Sequence, residues 1–156
     1  MTRKVNYADN IFYLKLVLKQ VSAGLKLAVD AELARDKVLE DLSFLQRAAG
    51  QVSAALQDSR LLIDRSDHLR ELSSFNRQFL ALLEELAAGR LAGAATLLPE
   101  GGREVVERLR QATQLELGAL RQAVSTQRLA AADHEHIVSE EEFRHLLSPE
   151  EGPEAR

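Results

Sequence analysis

The stretch that decides the fold is residues 38–56, "VLEDLSFLQRAAGQVSAAL". Its apolar residues recur at alternating spacings of four and three, which places them on one face of an α-helix. Sustained for nearly three heptads, this spacing is the pattern of a coiled-coil seam. We predict a helix over residues 31–57, with Asp30 as its N-cap, that buries the seam residues Val38, Leu42, Leu45, Ala49, Val52 and Leu56.

The sequence around this seam also favours helix. It is rich in Leu, Ala, Glu, Gln and Arg, which favour helix, whereas aromatic residues make up only 4% and Trp is absent. Between Leu25 and Ala88 the only helix breaker is Gly50, and all three prolines lie at or beyond Pro99. We predict an all-α bundle of about four long antiparallel helices, at residues 7–29, 31–57, 60–88 and 103–132, plus a short C-terminal helix. A turn is expected within residues 57–67, where one continuous helix is the alternative.

The bundle needs a large aliphatic core, and hydrophobic residues make up 46% of the chain. The helical periodicity of each segment predicts which side chains fill that core. We expect six large side chains to be buried: Leu42, Leu45, Leu72, Phe79, Leu117 and Leu120.

The first helix is apolar around most of its circumference, as "IFYLKLVLKQV" at residues 11–21 illustrates. Asn6 is its predicted N-cap, paired with Asp9 in an arrangement like a capping box. An ordinary surface helix has a narrower apolar face, so this helix either lies centrally in a monomeric bundle or also contacts a second chain. We predict that one of its two flanks serves the fold and the other a partner. Phe12, Leu16 and Leu27 form one flank, and Leu14, Val21 and Leu25 form the other.

Charge is distributed unevenly along the 156 residues, which carry a net charge of −4. Residues 133–156 contain eight acidic and two basic side chains, whereas the rest contains 16 acidic and 18 basic ones. We predict a bundle domain over residues 1–132 and an acidic tail over 133–156. The tail would hold a short amphipathic helix at about 139–147, capped by Ser139 and Glu142, and a disordered end. A nearly neutral body lacks the strong positive field of a nucleic-acid binder.

The expected location is the cytoplasm, without membrane insertion. Lys15 and Lys19 interrupt the apolar stretch too early for a spanning helix of about 20 apolar residues. No apolar run or cleavage pattern typical of a leader follows the first ten residues. The absence of cysteine removes disulfides, thiolate metal sites and cysteine nucleophiles.

Patterns that could support chemistry are sparse. Glu142 and His145 form a single Glu-x-x-His motif, whereas a di-iron bundle needs two such motifs that face each other. His134 and His136 would converge on a metal only in an extended backbone. Glycine-rich phosphate loops and serine nucleophile elbows are absent from the sequence. We therefore expect no enzymatic activity, no cofactor, no metal and no small-molecule substrate.

The alternative function is histidine phosphotransfer, and it depends on His68. The segment "HLREL", residues 68–72, resembles the His-box of histidine kinases and of phosphotransfer bundles, which implies an exposed imidazole that accepts a phosphoryl group. In phosphotransfer bundles a Lys or Arg stands three residues after the histidine, but here that position is Glu71, of the wrong charge. The proline of the kinase box is missing as well. A histidine at the surface or edge of a bundle helix is the simpler interpretation.

The sequence thus favours a non-enzymatic helical module that binds another protein or a second copy of itself. Such a module would act as an adaptor, an assembly factor or an export chaperone. Small acidic helical chaperones of bacterial secretion systems are similar in size and composition, although no diagnostic motif supports the likeness.

Overall fold

The computed structural model describes residues 6–28, 33–58 and 65–147, with side chains as far as Thr126. In these ranges the chain forms helices and no strand. The helices are α1 (Tyr7–Lys26), α2 (Arg35–Leu56), α3 (Ser66–Ala87), α4 (Ala94–Leu97) and α5 (Gly102–Leu147). Four of them are long, which confirms the predicted all-α bundle.

The start of α1 is as predicted. The side-chain oxygen of Asn6 accepts a hydrogen bond of 3.0 Å from the backbone N–H of Asp9. The Asn6 amide also donates to the Asp9 carboxylate at 2.8 Å. Two polar groups at the helix end therefore satisfy each other, as in a capping box.

The start of α2 differs from the prediction, because the helix begins at Arg35 and not after Asp30, which lies outside the described residues. Its N-cap, Ala34, has no side chain that can accept a hydrogen bond. Instead, the Arg35 guanidinium donates to the carbonyls of Pro99 and Glu100. A contact from a distant part of the chain thus anchors this end.

A break separates α2 from α3, so the continuous helix is excluded. α2 ends at Leu56 and α3 begins at Ser66. The guanidinium of Arg65 donates to the carbonyl of Leu56 at 2.8 Å and to that of Asp58 at 2.6 Å. A cation at the carboxyl end of α2 satisfies unpaired carbonyls and complements the helix dipole.

Helices α1 and α3 begin at the same end of the bundle, where the rings of Tyr7 and His68 lie 5.7 Å apart. The backbone N–H of Gly93 donates to the carbonyl of Leu25 at 2.9 Å, which joins the end of α1 to the segment that follows α3. Helices α1 and α5 each pack against both α2 and α3, and the most extensive packing is between α3 and α5. The α2–α3 pair therefore separates α1 from α5.

The core is formed as the periodicity predicts. All six side chains expected to be buried are buried, and the whole α2 seam belongs to the core or packs against it. The other helices of this chain cover the seam. The coiled-coil spacing therefore needs no second chain to explain it.

The connection between α3 and α5 packs down onto the bundle. Gly89, with φ of 72°, ends α3 in a Schellman motif, in which Arg90 N–H bonds the Glu85 carbonyl and Gly89 N–H bonds the Leu86 carbonyl. Leu97 and Leu98 are both buried. This segment therefore closes one end of the core.

The carboxyl end of the chain differs from the prediction. A separate helix at 139–147 was expected, but α5 continues without a break to Leu147. The physical reason is that no Gly or Pro lies between Gly118 and Leu147 to end the helix. At 1.5 Å per residue the 46 residues of α5 span about 69 Å, roughly twice the length of α3. The division into a body and an acidic tail stays a prediction.

In the described ranges, no helix combines the length and the apolarity needed to cross a bilayer.

Candidate interaction surface

The outer side of α1 carries most of the exposed apolar surface. Six large apolar side chains are exposed in the described part of the chain, and five of them lie together on or beside α1. Phe12 is 68% exposed and Leu27 is 79% exposed. We call this set the α1 face; it comprises Phe12, Tyr13, Leu16 and Leu27, together with Phe44 of α2.

Exposed residues connect Leu16 and Leu27 of the α1 face along one side of the helix. Leu16, Gln20, Ala23 and Leu27 follow one another at spacings of four, three and four residues, and all four are exposed. Such positions lie above one another on a helix. These four positions span about three helical turns, and Gln20 is the one polar residue among them.

The opposite side of α1 lies in the core. Leu14, Val21 and Leu25 are buried, in line with Ile11 and Leu18. The two predicted flanks are therefore in different environments: the first, with Phe12, Leu16 and Leu27, faces solvent, whereas the second is covered by this chain's own helices. Only the first is available to a partner without unfolding.

Tyr13 and Phe44 link the α1 face to α2. Their ring centroids are 6.2 Å apart and the rings are inclined at 79°, an edge-to-face contact. Phe44 lies beside the buried seam position Leu45. Its membership of the α1 face was not predicted. The signal was present in the sequence, since Phe44 is the one large aromatic residue of α2 that falls off the seam.

Lysines line the edge of the α1 face that lies nearest α3. Lys15 forms an ion pair with Glu71 of α3. Lys19 and Lys26 border a groove of about 450 Å³ between α1 and α3, which Glu85 also lines. Within the described ranges neither Lys19 nor Lys26 has an ion-pair partner. This edge is therefore cationic.

His68 lies in the first turn of α3, where α3 meets the start of α1. Its ring is half-buried and packs against buried Tyr7, with centroids 5.7 Å apart. Glu71, one turn further on, is paired with Lys15. Among the described residues no lysine or arginine forms a hydrogen bond with His68. The phosphotransfer alternative stays a prediction.

The residues considered for a metal lie in the last part of α5. The backbone is helical at His134, His136, Glu142 and His145, but their side chains lie outside the described ones. A helical backbone places positions 134 and 136 about 200° apart around the axis. That is not the extended backbone that the two histidines would need in order to converge.

Taken together, the described surface presents exposed apolar side chains on α1 with a cationic edge beside them. Comparison of the chain with protein-family models, with curated proteins and with solved structures gave no match.

Proposed function

We propose that this chain is a non-enzymatic protein-interaction module that binds its partner through the α1 face. The observation that supports this function is the separation of the two α1 flanks. Leu14 is 2% exposed and belongs to the core, whereas Leu16, two residues later, is 43% exposed. A large apolar flank that the fold does not use is typical of a binding surface.

The energy available from this surface is of the order that association requires. Burying one fully exposed large apolar side chain contributes about 1.5–3 kcal/mol. The five side chains of the α1 face are 36–79% exposed, so each contributes the corresponding fraction when a partner covers it. Their combined contribution offsets the lower part of the entropy cost of association, which is about 4–15 kcal/mol. Tyr13 and Phe44, already in contact, lose little side-chain freedom on binding.

The partner is a second copy of this chain or another protein that presents an apolar helix. Adaptor, assembly-factor and export-chaperone functions all use such a surface. The cytoplasmic location expected from the sequence stays part of this proposal.

Sedimentation equilibrium and affinity purification from the native cell test the proposal. Leu16→Glu places a charge in the α1 face, whereas Leu115→Glu places one at a site on α5 that is 78% exposed and outside that face. We expect the wild type and Leu115→Glu to form the same complex and Leu16→Glu to lose it. A wild type that is monomeric and recovers no partner would contradict the proposal.

A further inference from the structure

A second surface feature lies on the other side of α3, in the contact between α3 and α5. There a cleft of about 320 Å³ is lined by Arg70, Ser73, Arg77, Arg121 and Val124. The first three lining residues belong to α3 and the last two to α5. Because the side of α3 that faces α1 carries Glu71 and Glu85 instead, this arginine cleft is separate from the α1 face.

The arginine cleft has an excess of positive charge. Within the described chain, Arg77 and Arg121 have no ion-pair partner. Arg70 pairs with Asp67 at 2.9 Å, but both groups are largely exposed, and such a surface pair is weak. By contrast Arg110, nearer the start of α5, is paired with Glu107 on its own helix. The charges of Arg77 and Arg121 are thus less neutralised than the charge of Arg110.

Ser73 supplies the second observation. It is 5% exposed, lines the cleft, and its hydroxyl has no hydrogen-bond partner. A buried hydroxyl without a partner costs about 1–3 kcal/mol, so most such groups are paired in native structures. The cleft thus contains a buried hydroxyl group that is available as a donor.

We propose that the arginine cleft is a binding site for a phosphate group. The planar guanidinium fork matches the oxygens of phosphate and binds them through paired, charge-assisted hydrogen bonds. A phosphate dianion offers three terminal oxygens and about twice the charge of a carboxylate, which suits Arg77, Arg121 and the Ser73 hydroxyl as joint donors. The ligand is free phosphate or a phosphate ester on a polypeptide, which offer the same chemistry to the cleft.

The site is tested on the full chain by NMR titration with inorganic phosphate at constant ionic strength. The readouts are the side-chain Nε–H signals of the arginines and the backbone amide of Ser73. We expect saturable shifts at Arg77, Arg121 and Ser73 with phosphate and none with the same ionic strength of chloride. R77Q and R121Q should each weaken the affinity at least tenfold, and S73A should weaken it several-fold.

The matched control is R108Q, which removes an exposed arginine from another side of α5 and should leave the affinity unchanged. A phosphoserine peptide and its unphosphorylated form distinguish the sources of the ligand. Tighter binding of the phosphopeptide than of inorganic phosphate indicates an ester on a polypeptide, and equal or weaker binding indicates free phosphate. Shifts that do not saturate, or an affinity no weaker in R77Q, R121Q and S73A than in R108Q, would overturn the proposal.

Discussion

Leu14 and Leu16 lie two positions apart on α1 and face opposite environments. Leu14 is 2% exposed and packs in the core, whereas Leu16 is 43% exposed on the outer side. Two residues correspond to a rotation of about 200° on a helix, so the side chains diverge. The same helix therefore contributes to the fold through one side and offers an apolar surface through the other.

Charge substitution should separate these two sides. Leu14→Glu places an uncompensated charge in the core and should destabilise the fold by about 3–5 kcal/mol. Leu16→Glu should change the free energy of unfolding by less than about 1 kcal/mol, because its carboxylate stays in water. Urea unfolding followed by circular dichroism measures both. If both variants lose the same free energy of unfolding, the α1 face belongs to the core.

The fold should not tolerate a side chain at position 102, whereas it should tolerate one at position 118. A Cβ atom at Gly102 would lie 1.7 Å from the carbonyl oxygen of Leu97, and one at Gly118 would meet nothing within 4 Å. Gly102→Ala should therefore cost at least about 1–3 kcal/mol, as overpacking does. Gly118→Ala, inside α5, should stabilise the chain by up to about 1 kcal/mol through helix propensity. Thermal unfolding of the two alanine variants compares them directly, and equal midpoints would contradict the close contact at Gly102.

The core should respond as a single cooperative unit. Leu42 of α2, Leu72 of α3 and Leu120 of α5 are each 0% exposed. Truncation of any one to Ala should cost about 2–5 kcal/mol, because lost transfer energy adds to a cavity penalty. Urea unfolding provides the values. A cost below about 1 kcal/mol at Leu42 would mean that the seam is not packed as described.

Much of this architecture is predictable from the sequence, because burial in a bundle follows the helical period. The alternation of four and three places Val38, Leu42 and Leu45 on one face whatever the surroundings. The division of α1 into two flanks follows from the same geometry. Which flank is covered does not follow, because that depends on where α2 and α3 lie.

The ends of the helices were less predictable, because long-range contacts set them. α2 begins where Arg35 reaches the carbonyls of Pro99 and Glu100, and it ends where Arg65 reaches the carbonyl of Leu56. No local capping residue signals either end. The arginine cleft was missed for the same reason, since Arg77 and Arg121 come together only when α3 packs against α5.

The carboxyl of Glu107 should titrate below its ordinary range. Arg110 donates two hydrogen bonds to it, at 2.9 and 2.6 Å. These bonds, with the charge of the guanidinium and a bond from Gln111, lower the pKa of Glu107 despite some desolvation. Because this pKa is lower in the folded than in the unfolded chain, the pair stabilises the fold above the unfolded pKa. That contribution disappears as the pH falls through the folded pKa.

NMR titration of the Glu107 carboxyl carbon measures this pKa. R110Q removes the donors and should raise the pKa of Glu107 towards its ordinary value, whereas R108Q should leave it unchanged. A pKa that does not respond to R110Q would show that the ion pair is absent in solution.

Ser73 and Ser53 should respond to alanine with opposite signs. Both are buried in helix interiors, so alanine brings both the same gain in helix propensity. The Ser53 hydroxyl accepts a hydrogen bond of 2.6 Å from the Gln57 amide, and its loss should cost about 0.5–1.5 kcal/mol. The Ser73 hydroxyl is buried without a hydrogen-bond partner. Its removal therefore abolishes a desolvation cost that no hydrogen bond offsets. In phosphate-free buffer, Ser73→Ala should therefore stabilise the chain by about 1 kcal/mol or more relative to Ser53→Ala, measured by urea unfolding. A Ser73→Ala variant less stable than Ser53→Ala would show that the Ser73 hydroxyl is already bonded in the free protein.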